Sequence, residues 1–483
     1  MDSNQKTIAI VGGGIAGLAA AYQAQSAMPS ANVVLFESSQ RLGGVLHTER
    51  IDGYLVERSA DMFTTEPADA LELCRRLGKE DQLIETIPTQ NRAYVATENG
   101  IHPVPRGLSL MLPSDLQAIQ DSPLLDAAAT LRFLEERNIE KSDWREDESL
   151  ESFAVRRFGR VVFERLIQPL VGGIYTADPK KLSMRATMAR FVEMELEHGS
   201  LIKAAEFSKM QAAEKEASGA RYSLFRAPKN GMGDLVKWLE EALLKQGSGQ
   251  DRTRFEFQLG SQVDSILNSN SGWQLDIRTE DRSESLTFDA VLLATPARTS
   301  AGLLNSLDAS LALQLQSIEA ASSAIVVMGI DQAQMLSPAE FAGYGIIVPH
   351  VLNRRVIATS FASHKFAGRA PAGKVLVRSF IGGALQKELV DCEDNALIKF
   401  STEELAKTVN FTGSPDFARV YRWRNCMPQY HLGHLERSRT IDSMVGQHPG
   451  LELAGNSYHG VGIPACIKSG AQAMERLVNS LTY

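Results

Sequence analysis

A pair of phosphates asks a protein for backbone N–H donors and for an approach that side chains do not block. The segment Gly12-Gly13-Gly14-Ile15-Ala16-Gly17 offers both, with Gly12, Gly14 and Gly17 at G-x-G-x-x-G spacing. About 20 residues further on, Glu37 ends a β-branched run, where a carboxylate can take the ribose hydroxyls of an adenosine. These residues predict a dinucleotide site, and NAD and FAD satisfy the rule equally. Other chemistry-bearing types are sparse. His431 and His434 are separated by Leu432 and Gly433, with no carboxylate or cysteine spaced to complete a metal site, so no metal is expected. Cys74, Cys392, Cys426 and Cys466 form no C-x-x-C pair, which disfavours a disulfide framework or a dithiol relay.

The elements that must position the glycine loop are legible around it. TIAIVGGG reads as a strand, GLAAAYQAQSA as an Ala-rich helix and NVVLFE as a second strand, which together make a βαβ unit. After Glu37 comes an E-x-x-x-R-x-G-G arrangement. Gly43 and Gly44 let the backbone lie beside a cofactor, and Arg41 is expected to bring charge near its phosphates. Near the C-terminus, Asn456 and the turn Val461-Gly462-Ile463 precede a helix expected from about Cys466. Between these ends, residues 125–217 carry apolar residues at helical spacing. Strand-like alternation begins near Phe255, and further strands follow between about residues 321 and 380.

Bulk properties narrow the class. A chain of 483 residues exceeds what one core usually serves, so two or more lobes are expected. A net charge of −8 gives no field for collecting nucleic-acid phosphates, so no nucleic-acid partner is expected. No basic segment followed by an apolar run opens the chain, and no run of about 18 apolar residues occurs. A cytoplasmic protein fits, and peripheral contact with the inner face of a membrane would leave no such signature.

The E-x-x-x-R-x-G-G extension resembles the fingerprint of the amine oxidase and phytoene desaturase flavoproteins, and that resemblance selects FAD. Further blocks resemble the oxygen-dependent protoporphyrinogen/coproporphyrinogen oxidase family over almost the whole chain. They are ESFAVRRFGRVVFERLIQPLVGGIYTADPKKLSM (residues 151–184), the F-x-x-x-x-x-G-M-x-x-L pattern at Phe225, Gly231, Met232 and Leu235, GYGIIVP, FAGRAPAGKVLVRSFIGG, VYRWRNCMPQYHLGH and GVGIPACIKSG.

The resemblance implies an α/β and α+β fold of p-hydroxybenzoate hydroxylase-like architecture. A discontinuous Rossmann-like FAD-binding domain would take residues 1–88, 218–300 and 436–483. A mixed-sheet substrate domain would take 89–104 and 301–435, and an inserted helical domain 105–217. It assigns Gly12, Gly13, Gly14, Ile15, Ala16, Gly17, Glu37 and Ser38 to the phosphates and ribose, with Arg41, Gly43 and Gly44 alongside. It assigns Val45 and the backbone of Ser59, Ala60, Asp61 and Met62 to the flavin, Val263 to the adenine, and Asn456, Val461, Gly462 and Ile463 to the rest of the site. The family often has Gly-Pro where Ser59-Ala60 stands.

For substrate it implies Arg92 against a propionate and Ile347 and Phe380 against pyrroles. Ser360 stands at a usually aliphatic position, and a backbone carbonyl near Gly173 would assist deprotonation. The implied reaction is a six-electron oxidation of a porphyrinogen to a porphyrin in haem synthesis, with O2 as acceptor and three H2O2 formed. The substrate would be protoporphyrinogen IX or coproporphyrinogen III. Another flavin amine oxidase or desaturase, and a non-catalytic FAD-binding scaffold, are the alternatives. The expected partners are the porphyrinogen, O2, a later haem-pathway enzyme receiving the product and a membrane surface touched by the apolar segment 107–113, with core packing as that segment's alternative. The chain is expected as a monomer or homodimer.

Overall fold

A computed structural model describes residues 5–90, 92–215, 224–245, 254–337 and 340–482. Residues 216–217 of the expected helical insertion, and 218–223 and 246–253 of the second FAD-binding segment, lie outside the described residues. The N-terminal βαβ unit forms as expected: β1 (Thr7–Val11), α1 (Ile15–Ala27) and β2 (Asn32–Glu37). A five-stranded parallel sheet grows around it in the order Arg254–Leu259, β2, β1, Ala290–Leu293, Leu451–Leu453. Covered on both faces, β1 and Ala290–Leu293 read as continuous apolar runs rather than alternating ones.

The alanines of α1 have a packing purpose. Ala16, Ala19, Ala20, Ala21 and Ala24 are buried, and their small side chains let the C-terminal helix Ile463–Thr482 lie close against α1. At the crossing, a Cβ on Gly470 would fall 2.0 Å from the Ala16 carbonyl oxygen. That C-terminal helix begins at Ile463, three residues before the expected start. Pro464 sits in its first turn, where the missing N–H has no intrahelical partner to lose.

The helices Ala297–Leu304 and Ala309–Gln316 bury Ala301, Leu304, Leu311 and Leu315 with Val11, Val291, Leu293 and Leu451 of the parallel-sheet lobe. The core of that lobe therefore reaches Ile318, past the expected break at residue 300. Apolar spacing alone does not tell which sheet a helix will cover.

A second, seven-stranded sheet runs Phe417–Pro428, Ala320–Asp331, Lys374–Gly382, Val356–Phe361, Gly343–Ile347, Arg92–Thr97, Gly100–Pro103. Neighbours are antiparallel except Gly343–Ile347 with Arg92–Thr97. One face packs on the helix Asp394–Val409 through Val375, Val377, Ile381, Leu397 and Leu405. The opposite face carries Leu376 and Phe380.

Helices between Leu116 and Lys215 form a third core around Phe133, Phe153, Phe158 and Leu166. In it the fully buried Arg157 is paired with Glu136 and Glu195. Met111, in the apolar segment 107–113, is fully buried in this core, with Leu108, Leu110 and Leu112 packed against it, which realises the core-packing alternative for that segment. Among the described residues no helix is long and apolar enough to cross a membrane.

The Gly470–Ala16 contact sets how deeply the C-terminal helix seats. Gly470→Val is expected to destabilise the protein by about 1–3 kcal/mol, the usual cost of overpacking. Thermal unfolding followed by circular dichroism checks this, and an unchanged melting temperature would contradict the close-packing account.

Candidate active site

The loop after β1 is held by contacts that leave no room for side chains. Gly12, at φ +108°, would place a Cβ 2.7 Å from the Ala294 carbonyl oxygen, and a Cβ on Gly17 would fall 2.0 Å from the Gly12 carbonyl oxygen. Gly14 differs, for its Cβ would meet nothing within 4 Å. Gly14 also caps α1 without any side-chain hydrogen bond, so no cap side chain takes up the first-turn N–H groups at Ile15, Ala16 and Gly17. The second glycine turn stacks on the first, with Gly43 N–H donating to the Gly13 carbonyl at 2.7 Å.

Glu37 ties this cradle together. Its Oε2 accepts from Gly13 N–H and its Oε1 from Ser39 N–H, each at 2.8 Å, and each oxygen keeps a second lone pair for a ribose hydroxyl. Ser38 lies beside it, with Oγ 3.5 Å from Glu37 Oε1. Val263 comes close because Ser261 N–H donates to the Glu37 carbonyl, which starts its strand at the edge of the cradle. Arg41 is held within the second glycine turn. Its guanidinium donates to the carbonyls of Leu42, Gly44 and Leu46, so it shapes the turn that presents Val45, a valine left 42% exposed. An open helix N-terminus, a Cβ-free floor at Gly14 and a two-oxygen carboxylate at the far end fit an adenine dinucleotide.

The segment from Ser59 to Met62 is fastened to the other lobe. Asp61 Oδ2 pairs with Lys365 Nζ at 2.9 Å and with Arg378 Nη1 at 3.1 Å, all three side chains being buried. Arg378 also donates to the Ser59 carbonyl. Burial pushes the Asp61 carboxyl up, but attraction to Lys365 and then Arg378 outweighs it and leaves the group at about 2. Next to this segment, Glu57 accepts from Thr48 Oγ1 and Met232 N–H, each at 2.7 Å, and burial raises its carboxyl to about 7.

The C-terminal segment has its own support. Tyr430 Oη donates to the Asn456 carbonyl and accepts from Gly460 N–H, both at 2.7 Å. The Tyr430 ring stacks on His434 at 3.8 Å. His434 Nε2–H donates to the Tyr458 carbonyl, and burial lowers this histidine to about 4, which keeps it neutral. Asn456, Val461, Gly462 and Ile463 are thereby set at the start of the C-terminal helix.

Three of the expected substrate-site residues, Ile347, Phe380 and Gly173, share one region. Strand register puts Ile347 opposite Ala358 and Ala358 opposite Phe380, in a row across three strands of the second sheet. Gly173, on the helix Gln168–Tyr175, approaches this row, since its Cβ position lies 3.8 Å from Ile347 Cγ2. Ser360 is opposite Gly345 and Arg378, one step along the same face. Arg92 lies at the beginning of the neighbouring strand, three residues and so about 10 Å along from Val95, the partner of Ile347. It lines a cavity of ≈ 660 Å³ together with Arg106 and Tyr344. Tyr344 also lines an adjoining cavity that contains Met62 and Lys365.

The family model described as flavin containing amine oxidoreductase matches residues 15–478. The chain belongs to that family. FAD is therefore its cofactor, and the chain is an FAD-dependent oxidase. Coproporphyrinogen III oxidase of Bacillus subtilis (strain 168) is 30% identical over 488 residues, covering 100% of this chain and 99% of that protein. Protoporphyrinogen oxidase 1, chloroplastic, of Arabidopsis thaliana is 28% identical, covering 95% of this chain and 85% of that protein. A solved structure from Exiguobacterium sp. 255-15 superposes with a TM-score of 0.84 at 29% identity over 99% of both chains. UDP-galactopyranose mutase shares the fold, with a TM-score of 0.70 at 14% identity.

Lys365, Arg378 and Tyr430 are not among the residues the sequence singles out. Arg378 leaves one trace, a lone arginine within the apolar strand KVLVRSFIG. Nothing in sequence points to Asp61 as its partner.

Tyr430→Phe removes both hydrogen bonds from the 455–463 segment and is expected to weaken FAD retention about tenfold, on the scale of buried hydrogen bonds left unmade. Flavin released on dilution measures this, and undiminished retention would contradict it. Asp61→Asn strands two buried cations and is expected to cost about 3–5 kcal/mol of stability at neutral pH. Because the folded carboxyl lies below its unfolded value, its contribution of roughly 2 kcal/mol is present above about pH 4 and lost as pH falls through about 2. Melting temperatures from about pH 5 downward should show a shallower acid limb in Asp61→Asn than in the wild type.

Proposed function

We propose that the chain oxidises a porphyrinogen, protoporphyrinogen IX or coproporphyrinogen III, to the corresponding porphyrin with O2 as terminal acceptor. The observation that carries this reading is the row Ile347, Ala358 and Phe380, flanked by Gly173 and leading along the sheet to the Arg92 cavity. A flat apolar row with a cation about 10 Å away suits a tetrapyrrole whose ring is apolar and whose edge carries carboxylates.

FAD, when bound, supplies a two-electron acceptor, so six electrons leave in three rounds. The chain's own groups position and shield. Ile347 and Phe380 pack against pyrroles and exclude water, and Arg92 holds a propionate so that one edge of the ring faces the flavin-bearing segments. Gly173, whose Cβ position lies beside Ile347, supplies a backbone carbonyl as acceptor for a pyrrole N–H proton. Little general acid or base is needed, because each loss of hydride from a carbon bridge leaves a cation that an N–H proton loss neutralises. The uncapped N-terminus of α1 and the segment held by Tyr430 fix the cofactor at its two ends.

Purified protein carrying FAD, mixed with either porphyrinogen in air, should raise porphyrin fluorescence faster than autoxidation does. Phe380→Ala should lower kcat/KM by about tenfold to a hundredfold, on the scale of one aromatic contact. No rise above autoxidation with either substrate would sink the proposal.

A further inference from the structure

The cavity of ≈ 660 Å³ has walls from three sources: the sheet edge (Arg92, Ala93, Tyr344), the turn from Pro103 to Leu108, and the helical region (Ala118, Asp121, Leu170). Its size falls within the range of small-molecule sites. Arg92 and Arg106 line it, and among the described residues neither guanidinium group has a hydrogen-bond or ion-pair partner. Asp121 is its one acidic lining residue, and Asp121 Oδ1 already accepts from Gln117 Nε2 at 3.0 Å. Two arginines lining one space without matching carboxylates are the side-chain chemistry suited to two anionic groups.

The spacing of the two arginines is built into the backbone. Val104 N–H donates to the Ala93 carbonyl at 2.9 Å, which ties the segment before Arg106 to the one after Arg92. Gly107, at φ +71°, turns the chain immediately after Arg106, and its carbonyl accepts from Ser114 N–H at 2.8 Å and Ser114 Oγ at 3.0 Å. A Cβ at Gly107 would lie 2.8 Å from the Asp115 nitrogen, so the turn that presents Arg106 requires glycine there.

We propose that Arg106 and Arg92 form a two-cation clamp that grips two neighbouring propionates of the substrate at once. This rests on the porphyrinogen reading above. Protoporphyrinogen IX and coproporphyrinogen III both carry propionates on two adjacent pyrroles flanking one carbon bridge, and they differ on the opposite two pyrroles, where vinyls replace propionates. A clamp of two fixed cations therefore reads the edge that the two substrates share. One cation would leave the ring free to swivel about a single ion pair, and two fix which edge stays at the mouth. The opposite edge then points past Tyr344 toward the adjoining cavity with Met62 and Lys365. Arg106 thus governs affinity and orientation for both porphyrinogens, not the choice between them.

The test is a binding and kinetic comparison of wild type, Arg106→Met, Arg92→Met and Arg106→Lys, each checked for full FAD content. Coproporphyrin III and protoporphyrin IX are titrated separately by fluorescence, and both porphyrinogens are assayed for KM and kcat. Arg106→Met should weaken binding of both porphyrins by a similar factor of ten or more and raise KM for both porphyrinogens with a smaller change in kcat. Arg106→Lys should recover part of the loss. Unchanged binding in Arg106→Met, or a loss confined to coproporphyrin III, overturns the clamp. If the wild type neither binds these porphyrins nor oxidises either porphyrinogen, the porphyrinogen reading itself fails; a wild type that oxidises them beside a silent Arg106→Met removes the clamp alone.

Discussion

Asp61 is a carboxylate almost wholly withdrawn from water, and an isolated charge there would be costly enough to neutralise itself. It stays ionised because Lys365 and Arg378 reach it from the second lobe. That pairing is more than local. Asp61 belongs to the segment continuous with Ser59 and Met62, Lys365 to the short helix Ala362–Lys365, and Arg378 to the strand Lys374–Gly382. The ion triad therefore holds a segment from the cofactor side against the sheet that carries Phe380, with Arg378 also bonded to the Ser59 carbonyl and lying 5.4 Å from the Phe380 ring. A slip between lobes would separate charges in a low-dielectric interior, so the placement of the Ser59–Met62 segment against the sheet that carries Phe380 is stiff.

The cradle of the first lobe obeys a different constraint, closeness of backbone. Gly12, Gly17 and Gly43 sit where a Cβ would collide with neighbouring main chain, while Gly14 faces open space. The two glycine turns are bonded to each other, and Glu37 bonds to the first of them while Arg41 braces the second from within. Rigid backbone donors cost little reorganisation when a pyrophosphate arrives. At the far end Tyr430 performs the matching task with two hydrogen bonds to the 455–463 segment, and the stacked, neutral His434 holds Tyr430 in place.

Under the proposed porphyrinogen reading, substrate recognition divides between these rigid parts and a more open one. The row Ile347, Ala358 and Phe380 is set by strand register, which cannot shift by one residue without turning the apolar face away. Arg92 and Arg106, by contrast, are exposed at the mouth of their cavity, where long charged side chains can meet an incoming carboxylate before it is desolvated.

The N-terminal βαβ unit, the glycine loop and Glu37 were legible in the sequence because all their constraints are local: backbone closeness demands glycine, and alternation of strand and helix follows from apolar spacing within a short window. The C-terminal turn was legible for the same reason, although Pro464 let its helix start at Ile463. Family blocks carried Ile347 and Phe380, but their common row came from register between strands distant in the chain. The helices at 297–316 joined the first lobe because Ile318 and its neighbours complete that core, a choice made by tertiary packing. Likewise Asp61 with Lys365 and Arg378, and Arg92 with Arg106 across one cavity, became partners only in three dimensions, since Coulomb attraction acts through space and leaves no periodic signature along the chain.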